Sequence, residues 1–145
     1  MKHSNFRITN DIIGLDLGMS RTGVARINTI ANIPEPLPII DMKQGNLVAD
    51  VAAIVQHNNA CCVVAGVPRG LDSQLTEQTR WAMDVVKELE TSLDIPVFST
   101  DEAGTTVQAR SHARPGQSVD SVAAGIILSD FLAEVEADRI DNVSI

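Results

Sequence analysis

The sequence contains no tyrosine, a single tryptophan, and aromatic residues at only 3% of its 145 positions. A core of packed rings is therefore excluded. The interior must come from Val, Ile, Leu and Ala, a composition that favours aliphatic strands layered against helices. Cysteine is nearly absent too. The only two, Cys61 and Cys62, are adjacent, lack zinc-ligand spacing and have no second pair to join them. Neighbouring residues on a strand face opposite ways, so two buried, reduced thiols are the plain reading, and a reducing cytoplasmic compartment follows from it. No apolar run approaches the length of a membrane span, and Met1 to Asn10 carries no apolar leader core. Positive charge is scarce, with 11 Lys and Arg against 19 Asp and Glu and a net charge of −8. Broad non-specific affinity for nucleic acid is disfavoured, because that affinity comes largely from Lys and Arg meeting phosphates. Chemistry on phosphates is not excluded, since carboxylates and their metal ions can carry it.

Hydrophobic residues make up 44% of the chain, and its length suits one domain with a core over about residues 12–137 and polar tails. There are no internal repeats, linkers or low-complexity stretches. Residues 12–17 read as a buried strand, 18–22 as a tight turn, and 23–27 as a strand returning beside the first. Pro34, Pro36 and Pro38 exclude a central strand at 33–38, so a short third strand is expected at 39–42. Asn46 is placed to cap a helix over 47–57, with Leu47, Val51, Ile54 and Val55 on one face. The apolar run 60–67 predicts a central parallel strand. After a loop at 69–74, the spacing of Trp81, Val85 and Leu89 predicts a helix over 75–92, followed by a short strand at 97–99. A helix is expected at 105–113. A last one is expected over 119–137, with Val122, Ile126, Ile127 and Phe131 facing the core. A meander followed by alternating helices and strands gives an α/β fold: a mixed sheet with helices on both faces.

Three acidic positions stand out against this scaffold. Asp16 ends the first strand within Gly14-Leu15-Asp16-Leu17-Gly18. A carboxylate among apolar strand residues is costly unless it is paired, hydrogen-bonded or metal-bound. An Asp that organises the following turn fits the pattern equally well. Asp101 and Glu102 follow the strand ending at Ser99, and strand ends in open α/β sheets are where ligand sites collect. Capping of the next helix is the simpler role for Asp101. Asp120 opens the last helix beside Ala123 and Ala124, small residues that let the helix approach the sheet closely. A first-turn acid that complements the helix dipole is the ordinary alternative. Carboxylates gathered from distant parts of the chain would repel one another when empty and so favour divalent cations. Hard Mg²⁺ or Mn²⁺ is the expected partner, as two ions about 3.5–4 Å apart in two-metal chemistry.

Four segments, in order over about residues 12–132, resemble the YqgF/RuvX family. The first is Gly14-Leu15-Asp16-Leu17-Gly18-Met19-Ser20-Arg21-Thr22-Gly23-Val24-Ala25. The second is Val63-Val64-Ala65-Gly66-Val67-Pro68, with Asp72 and Glu77-Gln78 beyond it. The third is Asp101-Glu102 with Thr105, Thr106 and Ala109, and the fourth is Val119-Asp120-Ser121-Val122-Ala123-Ala124 with Ile126-Ile127-Leu128. The resemblance implies an RNase H-like fold and a metal-dependent nuclease, acting in 5′-end processing of pre-16S rRNA or in resolving Holliday junctions. It implies Asp16, Glu102 and Asp120 as metal-binding catalytic carboxylates, Asp101 in a supporting place, and Arg21 as a contact to substrate phosphate. Where the family usually carries Arg after the Asp-Glu pair, this chain has Ala103. Ser73 replaces a glycine, and the segment from His112 to Ser118 is shorter and less basic. Substrate binding is accordingly expected to be weak and salt-sensitive. Arg69, Arg110, Arg114 and His112 lie near the expected site. For Arg110, Arg114 and His112, exposure to solvent is the preferred role.

Two other classes compete. A non-catalytic RNase H-like binding module would not need all three carboxylates. A sugar-kinase or actin-like ATPase also opens on an Asp-x-Gly turn, here Asp16-Leu17-Gly18, but needs a second phosphate loop and a second such domain. No Gly-x-Gly-x-x-Gly or Gly-x-x-x-x-Gly-Lys run supports a dinucleotide or P-loop site.

Overall fold

The computed structural model describes residues 11–28, 30–43, 45–68, 76–102, 115 and 118–143, with side chains described through Asp101 in the last strand and through Val135 in the last helix. The chain opens with an antiparallel meander of β1 (Ile12–Asp16), β2 (Arg21–Ile27) and β3 (Pro34–Asp41). There follow α1 (Leu47–Asn58), β4 (Cys62–Pro68), α2 (Glu77–Ser92), β5 (Val97–Glu102) and α3 (Val119–Val143). The five strands form one sheet in the order β3-β2-β1-β4-β5, with β1, β4 and β5 mutually parallel.

Each strand places alternate residues on opposite faces, and each face is covered. On one face Ile13, Leu15, Val24, Val63, Ala65 and Val67 pack under α1 and α2. On the other, Ile12, Ala25, Ile27, Cys62, Val64 and Phe98 pack under Ala124, Ile127, Leu128 and Phe131 of α3. The expected mixed sheet with helices on both faces is therefore present, and both cores are overwhelmingly aliphatic. One ring pair, Phe98 with Phe131, joins β5 to α3 with centroids 5.3 Å apart.

Local signals set several boundaries. Asn46 caps α1, its side chain accepting from the Ala49 N–H, and Asn59 ends the helix in the left-handed conformation that Asn tolerates. Thr76 caps α2 through the Thr79 N–H. The prolines call for a correction: β3 begins at Pro34, five residues before the expected Ile39. It occupies the sheet edge, where a missing N–H costs nothing if it would have faced solvent, so the prolines exclude only a central place. Other boundaries move as well. β2 begins at Arg21, inside the expected turn; β5 runs to Glu102, three residues past the expected end; and α3 runs six residues past Ala137. The loop expected at 69–74 and the helix expected at 105–113 lie outside the described residues. Among the described residues, no helix is long and apolar enough to cross a membrane.

The close seating of α3 depends on glycine at two strand positions. A Cβ on Gly14 would sit 2.5 Å from the Leu128 side chain and 2.9 Å from the Ala124 carbonyl oxygen. A Cβ on Gly23 would overlap the backbone carbonyl of Asp120 outright. The bare backbone at these points lets the first turns of α3 lie directly on β1 and β2.

Candidate active site

Asp16 is the last residue of β1, opposite Gly23 of β2 and Gly66 of β4, and Gly66 in turn is opposite Thr100 of β5. Strand alternation puts this row on the α3 face, in line with Ile12, Cys62, Val64 and Phe98. It lies at the carboxyl ends of the three parallel strands. Gly23 and Gly66 contribute no side chains to this row, and the space at Gly23 is taken by the backbone of Asp120. Asp16 itself is half-buried and engaged by neighbours.

Glu102 is opposite Pro68, two residues beyond Thr100 on β5, so its backbone position belongs to the same alternation row. Its side chain lies outside the described residues. Asp101 and Glu102 were expected to follow the strand and are instead its last two residues, while the helix that Asp101 was expected to cap lies outside the described residues. Asp101 falls in the other row, opposite Val67, and is exposed. The structure therefore does not bring it together with Asp16 and Asp120.

Asp120 reaches this end of the sheet from α3. Its carbonyl abuts Gly23, the register partner of Asp16, and its side chain is 28% exposed. Arg21 Nε donates to Asp120 Oδ2 at 2.9 Å. Arg21 was expected in the turn. It is instead the first residue of β2, opposite Asp41, and its side chain stays 64% exposed despite the ion pair. The Arg69, Arg110, Arg114 and His112 positions lie outside the described residues.

Sequence reading passed over Ser121. It is fully buried and inserted into the sheet: the Val24 N–H donates to Ser121 Oγ at 3.2 Å, and that hydroxyl donates to the Leu37 carbonyl at 2.6 Å. Val24 and Leu37 are register partners, and an irregularity in the β2–β3 ladder lies next to them. The hydroxyl thus stands in for a direct strand-to-strand bond and pins the start of α3, with Asp120, to two strands at once. The only sequence signal was a small polar residue directly after the acid. The end of β4 is tied down in a similar way, by Thr79 Oγ1 donating to the Pro68 carbonyl at 2.6 Å.

Asp16 and Asp120 offer hard oxygen donors of the kind Mg²⁺ and Mn²⁺ take, and Asp120 is held by one exposed cation that another could replace. Among the described residues, no three His, Cys, Asp or Glu side chains are grouped closely enough to hold a metal ion. The third expected donor, Glu102, is outside that set. A separate cavity of about 810 Å³, lined by residues such as Glu35, Ile39, Asp50 and His57, lies between β3 and α1 on the opposite face. Cys61 and Cys62 form no disulfide and lack metal-ligand spacing. A hydrogen bond that the Cys62 thiol shares with Cys61, together with burial, pushes the Cys62 thiol well above its ordinary pKa, so it behaves as a neutral core side chain.

The sequence model of the RuvX family, described as Holliday junction resolvase, matches residues 10–134. A protein of Rickettsia felis named "Putative pre-16S rRNA nuclease" is 30% identical over 130 residues, covering 83% of this chain and 84% of its own. A protein of Fusobacterium nucleatum with the same name is 31% identical over 130 residues, covering 83% of this chain and 94% of its own. Among solved structures, RuvC of Thermus thermophilus superposes with a TM-score of 0.55 at 15% identity, covering 87% of this chain and 96% of RuvC. The same protein in complex with a Holliday junction substrate gives 0.57 at 15% identity, covering 88% and 97%. The fold is RNase H-like, as in RuvC.

Proposed function

The chain belongs to the RuvX family of Holliday junction resolvases, and from that premise we propose that it is a nuclease hydrolysing phosphodiester bonds in structured nucleic acid, with maturation of the 5′ end of pre-16S rRNA as its task. The names of its curated relatives support the RNA substrate. The family description supports a second reading, cleavage of four-way DNA junctions.

The observation that supports the proposal is that two acids far apart in sequence have their backbones at the same end of the sheet. Asp16 ends β1 on the α3 face, and the Asp120 backbone rests on the residue paired with it. In this reading Asp16, Glu102 and Asp120 hold Mg²⁺ or Mn²⁺, as two ions. Such ions supply charge neutralisation at the phosphate and a hydroxide-like water at neutral pH. The chain's own contribution is to fix the donors: Asp16 on a central strand, Asp120 through the buried Ser121 bonds, and Glu102 at the end of β5. Arg21, exposed beside Asp120, is suited to meet a substrate phosphate. Asp101 keeps at most an indirect part from the other face. Affinity for nucleic acid is weak and falls steeply with salt, in keeping with the net charge of −8.

The test is Mn²⁺-dependent cleavage of structured RNA and of four-way DNA junctions by the wild type and by Asp16→Asn. The variant is expected to keep the wild-type circular dichroism spectrum and to lose cleavage of whichever substrate the wild type cuts. Undiminished cleavage would remove Asp16 from the chemistry.

A further inference from the structure

Arg21 is held in a way that suits a movable cation better than a fixed structural one. Its single ion pair uses Nε, and among the described residues Nη1 and Nη2 make no hydrogen bond. A guanidinium built into a fixed pair usually engages a carboxylate through two parallel bonds. Here one bond serves, and the side chain remains 64% exposed. Such exposed pairs are weak. Its partner is less free. Asp120 is 28% exposed, and its backbone is fixed by contact with Gly23 and by the bonds of the neighbouring Ser121 to Val24 and Leu37. Of the two partners, Arg21 is the one that can leave.

We propose that Arg21 is an internal competitor for Asp120: it neutralises that carboxylate while no divalent ion is bound, is displaced when one arrives, and is thereby released to a phosphate of the nucleic acid. The proposal rests on the reading of Asp120 as a metal-binding residue and adds a coupling to it. A guanidinium whose charge is already balanced by the Asp120 carboxylate attracts a phosphate less strongly than one released from it. A cation taking Asp120 therefore makes phosphate binding easier, and phosphate binding makes cation uptake easier by the same factor. A chain with few basic residues gains from this arrangement, because its scarce positive charge is deployed only when the site is loaded.

Mn²⁺ binding to the whole protein, followed by loss of the free-ion electron paramagnetic resonance signal at low ionic strength, tests the competition without relying on turnover. Arg21→Gln is expected to bind Mn²⁺ about 3–10-fold more tightly than the wild type, the range expected on deleting a weak competing pair and a nearby like charge. Arg21→Lys is expected to stay closer to the wild type. Equal or weaker Mn²⁺ binding by Arg21→Gln overturns the competition while leaving the metal reading standing. No uptake by either protein removes the metal reading, and the proposal with it. Anisotropy of a short fluorescein-labelled DNA duplex tests the coupling. Mn²⁺ is expected to tighten duplex binding by the wild type more than by Arg21→Gln, and an equal gain in both overturns the release of Arg21 to phosphate.

Discussion

Replacing Gly23 with alanine puts the seating of α3 under direct test. The added Cβ would overlap the carbonyl carbon and oxygen of Asp120 and approach the Ser121 nitrogen to 2.8 Å. All three are backbone atoms, so no side-chain rotation can relieve the clash, and the first turn of α3 must lift away from β2. Overpacking of this kind costs about 1–3 kcal/mol, and a backbone obstacle places it near the upper end, at about 2–3 kcal/mol. At about 3–4 °C per kcal/mol for a chain of this size, Tm falls by roughly 6–12 °C. The same displacement carries Asp120 away from the row containing Asp16, and on the proposed reading of Asp120 as a metal-binding residue a shift of about 1 Å lowers turnover by roughly 10²-fold. Gly125→Ala is the control on the same helix. Its Cβ would meet the Pro34 side chain at 3.1 Å, a contact that can yield slightly. It also gains about 0.8–1 kcal/mol of helix propensity, so its net effect stays within about 1 kcal/mol. Differential scanning calorimetry together with the cleavage assay reads both effects. A Gly23→Ala protein with Tm within about 2 °C of wild type and normal cleavage would refute the claim that contact at position 23 fixes Asp120.

Other substitutions probe the same framework. Ser121→Ala strips the buried Val24 N–H and Leu37 carbonyl of their shared partner, and urea unfolding should show a loss of about 2–4 kcal/mol; a loss under about 0.5 kcal/mol would mean the two strands close directly on each other. Phe131→Ala empties a site that is 1% exposed and removes the ring beside Phe98, for an expected cost of about 3–5 kcal/mol in the same experiment. Cys62 should resist a thiol reagent until the protein unfolds. Its thiol is raised in the folded state, so above about pH 8.5 the unfolded chain ionises there while the folded one does not, and the stability Cys62 contributes falls as pH rises. Cys62→Ala should flatten that alkaline decline, and an unchanged pH profile would count against it.

Much of this was written locally in the chain. The scarcity of rings favoured an aliphatic two-faced sheet, and the apolar run from Ala60 to Val67 marked a strand covered on both sides. Asn46 announced the start of α1 because a cap is satisfied by the next few amides. The four family-like segments also lie in sequence order, and the resemblance they carry implies Asp16, Glu102 and Asp120 as metal-binding residues. These features were legible because hydrophobic period, capping and turn chemistry act over a few residues.

Tertiary structure decided what depends on separation along the chain. Arg21 meets Asp120 across 99 positions, and no periodicity encodes such a pair. Pairing with β4 carries β5 through Asp101 and Glu102, which puts Asp101 in the opposite row from Asp16, whereas local pattern ended the strand at Ser99. Ser121 became part of the strand ladder only because Gly23 leaves room for α3 to descend onto β2. The sequence by itself determined which residues are able to line the carboxyl end of the sheet. Register and the close approach of one helix determined which of them stand together there, because those follow from backbone contact between segments that are strangers in sequence.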